Sequence, residues 1–250
     1  MRALILFVFI GMAAAGTARG DDLADVCRAS TSYDVTLRPG ALVFSRGAPA
    51  ARMLVLSRGA LTVDDRDVAL DDEDRDRIAL IERDARALAP RIKTIAQRAV
   101  DLGARAIRDE AAAYAPPTAD DPRFAQTLDE HARSLKTRIA ASTSSTQWQG
   151  DNLDRIVDDA AADLVPIVAG DAAQQALGAL ASGDFAGASA LGSRTAGLQT
   201  DLEARVRQRL QTLAPDVRAL CPALNEIDAL QSGVTAKMPG GRLDLIEIAR

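Results

Sequence analysis

Cysteine, histidine and aromatic residues are scarce in this chain, and each scarcity closes a class of chemistry. There are two cysteines in 250 residues, Cys27 and Cys221, and one histidine, His131. A structural zinc site needs four ligands, and these three residues do not supply them. A thiol–disulfide oxidoreductase carries its cysteines as C-x-x-C, a spacing that is absent. A Ser–His–Asp or Cys–His system needs its histidine beside a nucleophile; His131 stands in "LDEHARS", at the edge of a helical apolar stripe, and no G-x-S-x-G elbow occurs. The H-E-x-x-H, P-loop and Rossmann glycine patterns are missing as well. Aromatics make up 3% of the residues, too few for a deep ring-lined ligand pocket or for the stacking platforms of a sugar site. Neither a catalytic residue, a metal nor a cofactor is assigned from the sequence.

Positive charge is also in deficit. Thirty Lys and Arg face 35 Asp and Glu, a net charge of −5. That opposes nucleic-acid binding, which needs a basic face, and electrostatic docking on anionic lipid.

The chain opens with Met1 and Arg2, then the apolar run "ALILFVFIGMAAAG", then the small-residue stretch "TARG". This is the layout of a secretory signal peptide, cut after Ala18 or Gly20. The run is short for a membrane span, and no later segment offers eighteen uncharged apolar residues. Residues 1–20 are therefore expected to leave, and the mature protein to be exported without membrane association. Cys27 is preceded by "DDLADV" rather than by a small-residue cleavage box, which removes the lipoprotein reading. An even cysteine count in an oxidising compartment then points to a Cys27–Cys221 disulfide. It would close a loop of nearly two hundred residues, for which chain entropy gives about 5 kcal/mol as an upper figure.

Residues 21–70 read as a β-meander. "YDVTL", "ALVFS", "RMLVLS", "ALTV" and "DVAL" are five short strands parted by "RPG", "GAPA", "RG" and "DDR". From residue 71 the period changes, and 71–231 read as a helical body. Asp71 or Asp72 caps the first helix. Apolar or small residues follow at Ile78, Ile81, Ala85, Leu88, Ile92, Ile95, Ala99, Leu102 and Ala106, steps of three and four that form a coiled-coil-like seam. Pro90 falls on the opposite face. "APPTADDP" ends this helix, and a second, starting near Pro122, carries Phe124, Leu128, Ala132, Leu135 and Ile139 on one face, making a long hairpin. "STSSTQWQGDN" at 142–152 reads as a polar, exposed linker. Its Trp148, the only tryptophan, is expected half-buried against the helices, with contact to a partner as the alternative. Further helices follow, with a Gly/Ala/Ser-rich stretch at 176–194 between them and Pro215 interrupting. Residues 232–250 form a tail with an edge-strand candidate at 242–248. Fifty alanines favour long, closely packed helices.

Asp72, Asp74 and Asp76 have the D-x-D-x-D spacing of a calcium loop. Arg77 stands where the loop's glycine belongs and Arg83 where its glutamate belongs, so the cluster reads as the charged start of a helix.

The fold class that follows is α+β, mostly α: a small antiparallel meander packed on long helical hairpins. The order of leader, early cysteine, meander ending in "LTVDDRDVALDDEDR", long helix, "AADLV", Gly/Ala-rich segment and late cysteine resembles the YggN-like family of uncharacterised periplasmic proteins of Gram-negative bacteria. Cys27 and Cys221 match its pattern. The resemblance implies a periplasmic home and brings no activity or catalytic residues. The expected function is a non-enzymatic binding or accessory role toward another envelope protein. A carboxylate-based hydrolase and a lipid-handling protein are the rival classes.

Overall fold

The computed structural model describes residues 26–48, 51–114, 116–147 and 204–249 continuously, together with Leu23 and scattered positions between 152 and 184. The leader, Trp148 and most of the 176–194 stretch lie outside the described residues. The chain divides into two compact units, 1–96 with 141–152 and 214–250, and 97–140 with 153–213.

Unit 1 is built on a five-stranded antiparallel meander, β2 (Asp34–Arg38), β3 (Ala41–Ser45), β4 (Met53–Ser57), β5 (Ala60–Val63) and β6 (Arg66–Asp67). Period-two alternation sets its register. Leu37, Leu42, Leu56 and Leu61 align across four strands, and so do Val35, Phe44, Leu54 and Val63. These two rows make one apolar face, which one residue of slippage would turn outward. Tight turns hold the pairing. Pro39–Gly40 joins β2 to β3 with Gly40 at φ +78°, the left-handed position of a type II turn. Arg58–Gly59 joins β4 to β5 with both φ values positive (49° and 83°), as a type I′ hairpin turn requires. Gly59 is needed here for space too: a Cβ would sit 3.0 Å from the Arg75 carbonyl oxygen.

The strand expected at "DVAL" is shorter than its pattern. Only Arg66–Asp67 pair with β5. Val68 adds one backbone bond to Leu61, after which the chain leaves the sheet to bury Leu70 and start the helix.

The long helix α1 (Asp72–Tyr114) begins where the period changed. Asp71 caps it, its Oδ1 accepting the Asp74 N–H at 2.8 Å. Ile78, Ile81 and Leu88 are buried and Pro90 is exposed. The first part of α1 is fastened to the sheet by polar contacts as well. The Arg58 N–H donates to Glu82 Oε2 at 2.8 Å, and Arg86 donates to the Arg38 carbonyl at 3.0 Å. Arg91 donates to the Ala219 carbonyl at 2.6 Å, tying α1 to the corner between α4 (Ala214–Arg218) and α5 (Cys221–Gly233).

The described part of the 142–152 linker meets the exposed-turn expectation at Thr143, Thr146 and Gln147 and departs from it at Ser142, Ser144 and Ser145. Ser142 is buried, and the next residues lie along the open edge of β2. The Leu37 N–H donates to the Thr143 carbonyl at 2.7 Å, and the Val35 N–H to Ser145 Oγ at 3.0 Å. An uncovered edge strand leaves such donors unpaired and invites foreign strands. Short hydroxyl side chains suit this cover because they substitute for a backbone carbonyl.

In unit 2 the remainder of α1 pairs with α3 (Pro122–Ala141). Ala104, Ala111, Phe124, Leu128 and Leu164 form its core. Asp101 meets Lys136 and Arg108 meets Asp129, an antiparallel register in which the two residue numbers have a constant sum. Off-seam positions are buried too, among them Glu82 in unit 1 and Val100, Ala104, Glu110 and Ala111 beyond Ala96, as a straight helix drifts from a seven-residue repeat. A short helix α2 (Pro116–Ala119) occupies the expected break.

Candidate binding cleft

Unit 1 contains a cleft of about 660 Å³ between the sheet, the end of α5 and the C-terminal tail, within the size range of small-ligand sites. Leu54, Val63, Leu243 and Ile246 provide its apolar lining, and Arg46, Arg242, Asp228, Asp244 and Glu247 its charge.

Tyr33, just ahead of β2, is buried and donates its hydroxyl to the Ala51 carbonyl at 3.1 Å. Its ring meets Phe44 edge-on at 6.1 Å, and the Arg46 guanidinium lies 4.2 Å from the ring centroid, a cation–π arrangement. Arg46 is fixed there by bonds to the Ala51 carbonyl (3.0 Å) and Ser32 Oγ (2.6 Å). Burial pushes the Tyr33 phenol above its ordinary value; Arg46 pulls it back, and Asp244 and Asp64 add to the rise. The phenol therefore stays protonated and engaged at neutral pH.

The opposite wall is a strand held largely by side chains from elsewhere. The tail pairs with β1 (Ala29–Ser30) through β7 (Glu247–Ile248), Ala29 opposite Ile248 and Ser30 opposite Glu247. Buried Gln231 on α5 accepts the N–H groups of Leu245 (2.9 Å) and Ile246 (3.2 Å) on Oε1 and donates Nε2 to the Ile246 carbonyl at 2.5 Å. Thr31 donates to the Leu245 carbonyl at 2.6 Å. The link between α5 and the tail is anchored by Asp74, buried at the start of α1, which accepts from Thr235 N (3.1 Å), Thr235 Oγ1 (3.2 Å) and Ala236 N (2.9 Å).

Cys27 and Cys221 form a disulfide across 194 residues, with a Cα–Cα distance of 5.2 Å. Cys27 precedes β1 and Cys221 opens α5, so the bridge staples together two elements that wall the cleft. Trp148 lies outside the described residues. In the D-x-D-x-D stretch, Asp72 and Asp76 are exposed and Asp74 is buried against backbone donors. Among the described residues no group of His, Cys, Asp and Glu is arranged to hold a metal ion. His131 Nε2 lies 2.8 Å from Asp163 Oδ2 in unit 2.

Sequence reading missed Tyr33, Arg46, Thr31 and Gln231 as a set. Tyr33 carried a weak signal, being one of few aromatics. Gln231 carried none, because the main chain it holds lies fourteen residues further on.

Residues 27–246 match DUF2884, a protein family of unknown function. The chain belongs to the DUF2884 family. No curated protein and no solved structure matches it. The matched range of this DUF2884 chain starts at one disulfide cysteine, includes the other, and takes in the meander and the tail as far as Ile246. Among the described residues of the family member no helix is long and apolar enough to cross a membrane.

Proposed function

We propose that this protein is a periplasmic member of the YggN-like group, exported on a cleavable leader, and that it serves the cell envelope by binding rather than by catalysis. The observation that carries this reading is the Cys27–Cys221 staple across the cleft walls. Such a bridge persists in an oxidising compartment, which agrees with the leader pattern at residues 1–20. The chemistry of the cleft favours binding. The Tyr33 proton is committed to a carbonyl, Asp228 accepts from Gln231 at 3.0 Å, and Asp244 and Glu247 stand in solvent. A mostly polar lining with charges of both signs beside buried aliphatic residues suits a polypeptide component of the envelope.

Two measurements test it. The intact mass of protein taken from periplasm, with a thiol-alkylating reagent present, should begin at Arg19 or Asp21, be two hydrogens light and take up no reagent. A photo-crosslinking residue at Arg242 or Ser232, both lining the cleft, should capture an envelope protein in intact cells, whereas one at exposed Arg66 should not. A retained leader with two alkylated cysteines overturns the export reading. Equal capture from both positions, or from neither, overturns the binding role of the cleft.

A further inference from the structure

The groove between β1 and α5 treats the tail as a peptide rather than as a sequence. From Leu245 to Ala249 the polar contacts to the groove are made through the main chain: Gln231 reads two N–H groups and a carbonyl, Thr31 reads a carbonyl, β1 pairs with Glu247 and Ile248, and the Ala249 N–H reaches the Arg28 carbonyl at 2.9 Å. Leu243, Leu245 and Ile246 are buried, while Asp244 and Glu247 point to solvent. Any extended segment with aliphatic residues spaced i, i+2, i+3 offers the same contacts. With the tail seated, Gln231 and Thr31 are 4% and 3% exposed, so any segment that covers them must supply main-chain partners of the same kind, a buried amide or hydroxyl without partners being costly. The tail reaches the groove through an exposed turn at Gly240 and Gly241, φ +93° and +103°, closed by the Gly241 N–H on the Met238 carbonyl at 3.2 Å. The cleft lies against the tail and is lined by it, so an incoming chain has room to enter as the tail departs.

Building on the reading of this region as a binding site, we propose that the β1–α5 groove is a recognition site for extended polypeptide, kept filled in cis by residues 243–249. Its ligand in trans is an extended segment of another protein with aliphatic side chains at that spacing, gripped by its backbone as in strand addition.

The test inserts a specific protease site between Gly240 and Gly241 of the full oxidised chain, cuts it, and follows exchange of the tail against a fluorescent peptide of residues 242–250. The nicked protein should bind this peptide saturably. It should also bind an unrelated peptide with the same aliphatic spacing, while the uncut protein binds that peptide at least tenfold more weakly. Methylating the peptide nitrogens at the positions of Leu245 and Ile246, or placing aspartate at both, should weaken binding more than tenfold. Binding of the native tail alone, or equal binding of the N-methylated peptide, would show a purely structural seat and overturn the proposal. Should the nicked protein lose its fold on tail release, hydrogen exchange in the uncut chain decides. Saturating unrelated peptide should speed exchange at residues 243–249, and unchanged exchange overturns the proposal. Failure here with cleft crosslinks intact would leave the binding role of the cleft standing.

Discussion

Replacing Asp74 by alanine should cost this protein about 3 kcal/mol, built from its hydrogen bonds. The carboxylate accepts the N–H groups of Thr235 and Ala236 and the Thr235 hydroxyl, and it pairs with Arg77 at 3.2 Å. A bond to a charged acceptor is worth about 1.5–3 kcal/mol, and a buried donor left unpaired costs as much again. Thr235 is exposed, so water recovers part of its share, whereas Ala236 is half-buried and recovers less. A carboxylate in the first turn of α1 adds about 0.3–1 kcal/mol from the helix dipole. Asp74→Asn keeps one acceptor oxygen and should lose about half the total. Asp72→Ala and Asp76→Ala alter exposed residues of the same acidic run and should stay within about 0.5 kcal/mol. For a chain of this size 3 kcal/mol lowers Tm by about 6–12 °C. Because two units need not melt together, the assay is urea unfolding read by segment-resolved hydrogen exchange, with residues 235–249 losing protection first. If Asp74→Ala costs no more than Asp72→Ala, and exchange at 235–249 is unchanged, the carboxylate does not anchor the tail and the reasoning fails.

Cys27→Ser with Cys221→Ser should lower stability by up to about 5 kcal/mol, the closure entropy of the long loop; a loss under about 1 kcal/mol in urea melts would remove the bridge as a restraint on the unfolded chain. In unit 2, Glu110 is almost fully buried and paired with Arg205. Arg205→Ala should cost about 3 kcal/mol by stranding that carboxylate, whereas replacing the pair together, Glu110→Met with Arg205→Met, should be neutral or stabilising; thermal melts of both variants distinguish this from a pair that contributes as much as it costs. Titrations give two signed expectations. Tyr33 has a raised pKa in the fold, so its contribution is complete below the ordinary phenol range and is lost as pH rises through the folded value. Tyr33→Phe should accordingly be less sensitive to alkali, and ultraviolet titration should show Tyr33 ionising above the ordinary phenol range. The Asp34 carboxyl is raised by burial, with the Ser145 hydrogen bond pulling back, so the fold favours its neutral form. Asp34→Asn should be slightly stabilising at pH 7, and that gain should vanish below the ordinary aspartate range, as equilibrium unfolding at both pH values would show.

What could be read from the sequence was what depends on neighbours in the chain. "RPG", "RG" and "DDR" name their own turns, and Leu42, Phe44, Leu54, Leu56, Leu61 and Val63 announce one face by alternation. The three-four spacing from Ile78 onward is a local property of α1, and Asp71 caps it three residues before the N–H it binds. Two lone cysteines in a chain with a leader pattern left one economical pairing. The cleft was illegible for the opposite reason. Gln231, Thr31 and Asp74 are polar residues whose type usually indicates solvent, and they are buried by main chain lying 14, 214 and 161 residues away. The linker misled in the same manner. "STSS" has the composition of a loop, and its partner is a strand edge more than one hundred residues earlier.

That wiring has a consequence for the order in which the molecule can be made. Unit 1 is discontinuous: its meander is synthesised early, the cover for β2 arrives with residues 143–145, and β1, Thr31 and Cys27 wait for partners beyond residue 216. In an exported chain the strand that completes the wall, Glu247–Ile248, emerges only after residues 68–246 have followed the meander. Its contact order is correspondingly high, which slows closure. During that interval the nascent chain presents an unpaired strand edge, a reduced cysteine and an empty main-chain groove, all of which the finished protein conceals.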